Sequence, residues 1–218
     1  MNPTESSQEA ILLTHGFGAN RMLMAPLAKR LRRQGYHVAN WGYHSLWYGI
    51  EKHAADLRLQ LEWLSKEFGT IHVVAHSMGN LVTRVALGES EFEGLKRIVM
   101  MCPPNHGSHA ASRYAWLFRW LSPTLTQIRD RPDSYVNQLS ERLDPSIEVG
   151  VIQAKTDFVV RRESTLLESA SDYVLLPGFH SSVLFRRDAT KQVLHFLKHG
   201  HFAPLKINAA EEVAEHGD

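Results

Sequence analysis

The chain has 218 residues, which is enough to bury a full hydrophobic core in one domain. Its 24 Lys and Arg residues balance 23 Asp and Glu residues, so the net charge of +1 gives no argument for a nucleic-acid partner. No apolar run reaches the roughly 18 residues that span a bilayer, residues 1–9 lack the pattern of a secretory signal, and the single cysteine, Cys102, excludes an internal disulfide. We therefore expect one domain over residues 1–218, located in the cytoplasm and without a transmembrane segment.

The first predicted elements are a short buried strand over residues 10–14 and the His-Gly-Phe-Gly loop at 15–18. Glycine directly after a strand lets the backbone approach a ligand closely. An ordinary strand-to-helix connection explains the same residues equally well. Leucines recur every fourth residue over 23–34, which predicts an amphipathic helix that ends at Gly35. A second strand is predicted over 36–41.

An aromatic loop, residues 42–48, follows this second strand. Open α/β sheets bind their ligands at the carboxyl ends of the strands, and this position would make Trp47 and Tyr48 the lining of an acyl pocket. The alternative, in which both side chains pack beneath the loop, fits the sequence at least as well. A long helix with one apolar face is then predicted over residues 50–68.

The segment around Ser77 is the most informative part of the sequence. A β-branched apolar run over residues 70–76 predicts a buried strand, and residues 81–87 predict a helix. A strand that breaks sharply into a helix at a serine is typical of a nucleophile elbow. The strained turn requires small residues two positions before and two positions after the serine, and Ala75 and Gly79 meet that requirement.

The predicted elbow also favours a chemical role for the serine. It would raise the Ser77 hydroxyl above the carboxyl ends of the strands, at the start of the next helix. The positive end of the helix dipole lies there, and the Met78 N–H would donate to an oxyanion. An ordinary strand-to-helix turn that happens to carry a serine is the alternative.

The alternation of strands and helices continues to a strand over residues 95–102. This alternation predicts a doubly wound, mostly parallel sheet of about six strands. An insertion over residues 106–146 then interrupts the pattern. Its first helix is apolar nearly all round, and the sequence predicts that Pro123 ends this helix and that Asp133 caps a second one.

We expect the insertion to form a helical cap over Ser77, because it follows a strand end that lies near the predicted elbow. The apolar surface of its first helix exceeds what one face needs, so Trp116 and Trp120 are candidate substrate-binding residues. A helical excursion packed on the edge of the sheet is the alternative.

The predicted domain ends with two strands, over residues 148–154 and 173–176, and a terminal helix that ends at Gly200. Residues 203–218 form an acidic tail. Asp157 lies just past the first of these strands, and His180 lies in the loop after the second. Parallel strands end at one edge of a sheet, so both side chains are expected close to the elbow.

Ser77, Asp157 and His180 form the predicted catalytic triad. A serine hydroxyl is a weak nucleophile until an imidazole takes its proton, and a carboxylate must fix the tautomer of that imidazole. The other candidates for acid and base are less well placed relative to the predicted strand ends: Asp172, Glu163, His195, His199 and His201.

The sequence resembles the α/β-hydrolase superfamily in three features. These are the chain order of serine, acid and histidine, the Ala-His-Ser-Met-Gly elbow and the His-Gly loop. The resemblance covers roughly residues 10–200 and is greatest to bacterial lipases and esterases, whose cap opens with a segment similar to Pro104–Ser108. It implies a second oxyanion donor, the Phe17 N–H. Two features depart from the family pattern: Asn80 replaces a second glycine after the elbow, and about six strands replace the usual eight.

The function expected from this resemblance is hydrolysis of carboxylic esters through an acyl-enzyme, with a small-molecule ester or a lipid as substrate. No metal or organic cofactor is implied. A thioesterase or an acyltransferase would use the same residues. A non-catalytic ligand-binding protein on the same scaffold is the alternative from another class, although binding alone does not require a triad.

Overall fold

Six parallel strands form one sheet in the computed structural model, which describes residues 9–88, 90–118 and 123–205. The strands are β1 (Glu9–Thr14), β2 (His37–Trp41), β3 (Thr70–His76), β4 (Leu95–Met101), β5 (Glu148–Ala154) and β6 (Ala170–Leu176). The helices are α1 (Arg21–Arg32), α2 (Ile50–Glu67), α3 (Met78–Gly88), α4 (His109–Phe118), α5 (Pro123–Gln127) and α6 (Arg187–His199). The strand order β2-β1-β3-β4-β5-β6 confirms the predicted fold class.

Helices cover both faces of the sheet. Successive side chains of a strand point to opposite faces, so Leu12 and Val73 pack towards α2 and α3, whereas Ile11 and Val74 pack towards α1 and α6. Burial on both faces explains why β1 and β3 are almost continuously apolar. None of the helices in the described ranges is both long enough and apolar enough to cross a membrane.

All strands run in the same direction, so their carboxyl ends share one edge of the sheet, here called the carboxyl edge. Thr14 at the end of β1 pairs with Ala75 near the end of β3, and Ala154 pairs with Leu176 where β5 and β6 end. The loops that carry the predicted site residues therefore leave the sheet side by side. The opposite edge is called the amino edge.

The helices of the insertion over residues 106–146 differ from the prediction. Pro123, predicted to end the first helix, is instead the first residue of α5. Proline suits that position because the first helical N–H has no partner within the helix. The prediction of a second helix after Asp133 is wrong, because a 3-10 turn over Tyr135–Gln138 forms in its place.

Local hydrogen bonds explain the missing second helix. The Ser134 hydroxyl donates to the carbonyl oxygens of Arg129, at 2.5 Å, and Arg131, at 2.6 Å. The Asn137 amide also donates to the Arg131 carbonyl, at 2.7 Å. Serine and asparagine side chains that bond to nearby backbone in this way offer the chain an alternative to helical hydrogen bonds.

A buried arginine of α3 fastens the insertion to the rest of the domain. Arg84 is 3% exposed, and its guanidinium donates to the carbonyl oxygens of Asn105 (3.1 Å), Leu139 (3.3 Å) and Ser140 (2.8 Å). Burial lowers the pKa of Arg84 to about 10, which still leaves the group charged at neutral pH. One side chain therefore joins a carbonyl just before the insertion to two carbonyls near its end, and buried carbonyls of this kind need donors.

Replacement of Arg84 by methionine should lower the free energy of unfolding by more than about 2 kcal/mol, because it leaves the buried Asn105 carbonyl and two partly buried carbonyls without this donor. Urea unfolding monitored by circular dichroism measures the change. Arg142→Met is the matched control: Arg142 is 79% exposed and paired with Glu168 at 2.7 Å, and exposed pairs contribute about 0–1 kcal/mol. Equal effects of the two substitutions would contradict the anchoring role of Arg84.

Candidate active site

Ser77 occupies a strained turn between β3 and α3. Its φ angle is 51°, in the left-handed region that costs a residue other than glycine about 1–3 kcal/mol. Two backbone bonds hold the turn: the Ser77 N–H donates to the Met101 carbonyl at 2.9 Å, and the Asn80 N–H donates to the Ser77 carbonyl at 3.0 Å. The hydroxyl is thereby presented at the carboxyl edge, in a residue that is 8% exposed.

The turn fits because two glycines leave room for it. A Cβ on Gly79 would lie 2.5 Å from Thr14 Oγ1 and 2.8 Å from the His15 carbonyl oxygen. A Cβ on Gly16 would lie 2.8 Å from the Cβ of Ser77. The elbow pattern in the sequence already requires a small residue at position 79. The requirement at position 16 follows only from the structure, in which the loop after β1 contacts Ser77.

Asn80, noted in the sequence as a departure from the family pattern, has a structural role at the elbow. Its side-chain amide donates to the Ser77 carbonyl at 2.9 Å and to the Met101 carbonyl at 3.3 Å. It therefore ties the first turn of α3 to the end of β4. A glycine at this position would leave the two carbonyls without these donors.

His180 and Asp157 extend a chain of hydrogen bonds from the serine. His180 Nδ1 lies 2.7 Å from Asp157 Oδ2, and His180 Nε2 lies 2.8 Å from Ser77 Oγ. Asp157 can only accept when ionised, so Nδ1 carries the proton and Nε2 accepts from the serine hydroxyl. This tautomer is the one in which an imidazole can remove the serine proton.

The backbone holds the Asp157 carboxylate in place. Its Oδ1 accepts hydrogen bonds from the N–H groups of Val159, at 2.8 Å, and Val160, at 2.9 Å. Burial raises the pKa of Asp157, but the hydrogen bond and charge of His180 and these two amides outweigh burial and lower the pKa below its ordinary value. The group is therefore an anion at neutral pH, with its other oxygen free to accept from the imidazole.

The competing acids and bases lie elsewhere in the structure. Asp172 is near the start of β6, where it accepts the Phe202 N–H at 2.7 Å, and β6 begins three residues earlier than predicted. Glu163 begins a 3-10 turn after β5. His195 and His199 belong to the second half of α6, and His201 follows that helix. The hydrogen bonds of Ser77 and Asp157 involve none of these side chains in the described residues.

His76, which the sequence analysis passed over, contacts the histidine of the site. Its Nε2–H donates to the His180 carbonyl at 3.0 Å, and the two ring centroids are 5.0 Å apart. Burial, followed by the charge of His180, lowers the pKa of His76 to about 3, so the ring is neutral. Its position at the end of the predicted strand, directly before the serine, was the available signal, but its partner lies 104 residues away.

The two predicted oxyanion donors have free N–H groups among the described residues. Met78 is the first residue of α3, so its N–H has no carbonyl partner within the helix. Phe17 lies in the loop after β1 and lines the same cavity as Ser77. Neither amide donates to another group in the parts of the chain that the structure describes.

An apolar cavity of about 630 Å³ opens above Ser77. The insertion supplies one wall of it with Ala111, Leu125 and Ile128, and the aromatic loop supplies Trp47, which is 65% exposed. The predicted neighbour Tyr48 does not line this cavity. Its ring lies edge-on to His53 instead, with 6.1 Å between the ring centroids.

The other two predicted substrate-binding residues fall outside what the structure describes. The backbone of Trp116 belongs to α4, but its side chain is not among the described parts, and Trp120 lies outside the described residues altogether. Their roles therefore stay predictions from the sequence.

One group of side chains near the site has the residue types of a metal centre. Ligand atoms of Cys102, Asp157 and His180 lie within 4.8 Å of one another, the only such group in the described ranges. Burial and the charge of Asp157 raise the pKa of the Cys102 thiol well above its usual value, so the sulfur stays protonated. A protonated thiol and an imidazole already bonded to the carboxylate form a hydrogen-bonded group rather than a set of metal ligands.

A parallel sheet with a serine at a strand-to-helix turn, followed by a carboxylate and a histidine from later loops, defines the α/β-hydrolase class. The sequence matches the Alpha/beta hydrolase family over residues 11–215, and the chain belongs to that family. The predicted resemblance is therefore confirmed. No curated protein matches the sequence.

Solved structures with the same fold include bacterial lipases and esterases. The mature form of Bacillus licheniformis lipase BlEst2 matches with a TM-score of 0.71 and 15% identity, over 90% of this chain and 93% of that chain. A thermophilic esterase from Thermogutta terrifontis, with malate bound, matches with a TM-score of 0.66 and 16% identity, over 90% and 92%. A structure reported for the metagenome-derived lipolytic enzymes LipS and LipT matches with a TM-score of 0.65 and 18% identity, over 88% and 94%. At such identities the matches establish the fold alone.

The lowered pKa of His76 predicts that acid destabilises the protein. In the unfolded chain the imidazole of His76 is protonated below about pH 6.5, whereas in the folded protein it stays neutral down to about pH 3. The unfolded state therefore binds more protons between these two values, and the free energy of unfolding decreases as the pH falls from about 6.5 to about 3. The loss should approach at most about 1.4 kcal/mol per pH unit for each such histidine. His72 in β3, whose pKa burial also lowers to about 3, adds to the effect.

Urea unfolding at about pH 7.5 and about pH 5 tests this prediction. His76→Phe should show a smaller loss of stability between the two conditions than the unmodified protein. His44→Phe, at an exposed position, should lose as much stability between the two pH values as the unmodified protein does. An unchanged difference in His76→Phe would mean that this ring is not held neutral.

Proposed function

We propose that the protein is a serine hydrolase that cleaves carboxylic esters. The observation that carries the proposal is the pair of hydrogen bonds from Ser77 to His180, 2.8 Å, and from His180 to Asp157, 2.7 Å, beneath an apolar cavity. Binding alone would require none of this geometry. The family match and the lipase and esterase structures with the same fold agree with an ester as substrate.

In the proposed reaction, Ser77 Oγ attacks the ester carbonyl carbon while His180 Nε2 takes the hydroxyl proton. The carbonyl oxygen becomes an oxyanion, which accepts hydrogen bonds from the Phe17 and Met78 amides; such donors contribute about 2.7–4 kcal/mol each. The imidazolium then gives its proton to the departing alcohol, which leaves an acyl-serine. Water, deprotonated by His180, releases the acid and restores Ser77.

The proposed substrate has an uncharged, largely apolar acyl group. The cavity walls contributed by Leu125, Ile128 and Trp47 offer few hydrogen bonds to a charged or highly hydroxylated acyl chain. The insertion over residues 106–146 acts in this proposal as a cap, because Ala111, Leu125 and Ile128 line the cavity above Ser77. Small-molecule esters and lipids both fit this description.

A first prediction tests the serine, the acid and the base. A fluorophosphonate probe should label the native protein at Ser77, and Ser77→Ala should abolish both labelling and hydrolysis of p-nitrophenyl esters. Asp157→Asn should lower turnover by about 10⁴-fold, because the imidazole then takes the wrong tautomer. Asp172→Asn, at the amino edge, is the matched control and should stay within a few-fold of the unmodified protein.

Two controls are needed to interpret these results: each variant must be shown to fold, and Asp157 must be distinguished from other acids. Circular dichroism spectra and unfolding curves establish that each variant is folded. Near-normal turnover in folded Asp157→Asn would show that Asp157 is not the acid. Failure of the native protein to react with the probe, under conditions that label a control esterase, would favour a ligand-binding role.

A second prediction concerns the acyl group, for which Trp47 and Tyr48 form a natural pair. Trp47 lines the cavity, whereas Tyr48 is similarly exposed but lies outside it. Trp47→Ala should lower kcat/KM for octanoyl esters roughly fivefold or more relative to acetyl esters, because it removes apolar contact area worth about 1 kcal/mol. Tyr48→Ala should change both substrates alike.

The same assay separates esterase from thioesterase and acyltransferase activity. Matched p-nitrophenyl esters and acyl-CoA thioesters of equal chain length are compared, with and without an added alcohol acceptor. A higher kcat/KM for the thioesters would indicate a thioesterase, and transfer of the acyl group to the alcohol in place of release of the acid would indicate an acyltransferase.

For the Trp47 prediction, equal losses of kcat/KM for short and long esters in Trp47→Ala would show that Trp47 does not contact the acyl chain.

A further inference from the structure

Three histidines cluster at the amino edge, on the opposite side of the sheet from Ser77. His195 and His199 are four residues apart in α6, and His201 follows the left-handed Gly200 that ends the helix. The chain is held there by the Phe202 N–H, which donates to Asp172 near the start of β6 at 2.7 Å. This histidine cluster has no part in the proposed hydrolysis.

The centres of the three rings are about as far apart as the ring centres of histidines that share a metal ion. Their centroids are 4.5 Å apart for His195 and His199, 5.0 Å for His195 and His201, and 5.9 Å for His199 and His201. A zinc–nitrogen bond of about 2.0–2.1 Å puts the ion about 3.2 Å from each ring centre, so tetrahedral ligands have ring centres about 5.2 Å apart. The observed distances bracket this value.

Hydrogen bonds set two of the rings in the form that ligates metals. His195 Nδ1 lies 2.8 Å from the His201 carbonyl oxygen, and His201 Nδ1 lies 3.1 Å from the Phe202 carbonyl oxygen. A carbonyl can only accept, so both Nδ1 atoms carry protons and each Nε2 of a neutral ring keeps its lone pair. Metal-ligating histidines typically donate their other ring N–H to a carbonyl or carboxylate in this way.

Ligation requires a rotation of side chains, of which His199 and His201 are exposed and His195 is half-buried. However one nitrogen is chosen from each ring, at least one pair of the three nitrogens is more than 4.8 Å apart as the rings stand. His199 is exposed, and its ring nitrogens have no hydrogen-bond partner in the described ranges, so this ring can turn without breaking a contact. The backbone positions already bring the rings together.

The charges around the histidine cluster are of both signs, with Lys198 and Arg97 close to His199. The carbonyl end of α6 carries the negative end of the helix dipole, which stabilises positive charge. Arg97, whose Nη1 donates to the Leu197 carbonyl at 2.8 Å, is paired with Glu148 at 2.6 Å.

We propose that His195, His199 and His201 bind one divalent transition-metal ion, with zinc as the reference ion and water completing its coordination. Neutral imidazoles suit zinc, copper and nickel. The ion would join the end of α6 to the segment that follows it, at a distance from the serine. Its effect would be on stability, because it binds the folded chain and the unfolded chain lacks the arrangement.

Titration of the full-length protein with Zn²⁺ by calorimetry, followed by thermal unfolding with and without Zn²⁺, tests the proposal. We expect one saturable site and a rise in the unfolding temperature. His199→Ala and His201→Ala should each weaken zinc binding about tenfold or more and remove the thermal effect. His44→Ala, at an exposed histidine outside the cluster, is the control and should bind as the unmodified protein does.

Electron paramagnetic resonance of the Cu²⁺-loaded protein counts the nitrogen ligands, with three expected in the unmodified protein and two in His199→Ala. Unchanged zinc affinity in both folded variants would overturn the proposal. So would binding that survives in them but disappears in Cys102→Ala, because the ion would then lie at the candidate active site. Circular dichroism establishes the folding of each variant, and ester hydrolysis by the two histidine variants without zinc should match the unmodified protein.

Discussion

The site depends on one constraint, the close approach of the loop after β1 to the turn after β3. Ser77 can take its left-handed conformation at the carboxyl edge only because Gly79 and Gly16 leave no Cβ between these segments, where contacts would be as short as 2.5 Å and 2.8 Å. The same approach places Phe17 in the lining of the cavity above the serine. The strain of the turn is balanced by the backbone and Asn80 bonds that fix it to β4.

Buried polar groups connect this turn to parts of the chain that the sheet alone would not fix. His76 donates to the carbonyl of His180, and Arg84 joins Asn105, just before the insertion, to Ser140 near its end. Both side chains are buried, and both bond to carbonyl oxygens that lie far away in sequence. The loss of such a contact is costly where the freed group is buried, as at His180 and Asn105, because that group cannot reach water. The cavity above Ser77 is therefore shaped by hydrogen bonds as well as by apolar packing.

The two edges of the sheet carry different chemistry. At the carboxyl edge, short loops gather a hydroxyl, an imidazole and a carboxylate beneath an apolar cavity. At the amino edge, the end of α6 gathers three imidazoles that are oriented in part by backbone carbonyls. The distinction has a physical origin, because histidines bonded to a carboxylate and to a hydroxyl are arranged for proton transfer. Histidines bonded only to carbonyls keep a lone pair for a cation.

The sequence by itself determined the order of the strands and the parallel sheet, and it supports the prediction of Ser77, Asp157 and His180 as the triad. These depend on local periodicity and on which residue follows a strand, and parallel strands necessarily end at one edge. Only the tertiary structure decided the turn in place of a helix after Asp133 and the partner of His76. It also decided that Trp47, and not Tyr48, lines the cavity. Each of these outcomes depends on the packing of a whole loop or on a side chain or carbonyl placed by folding, which neither residue type nor spacing encodes.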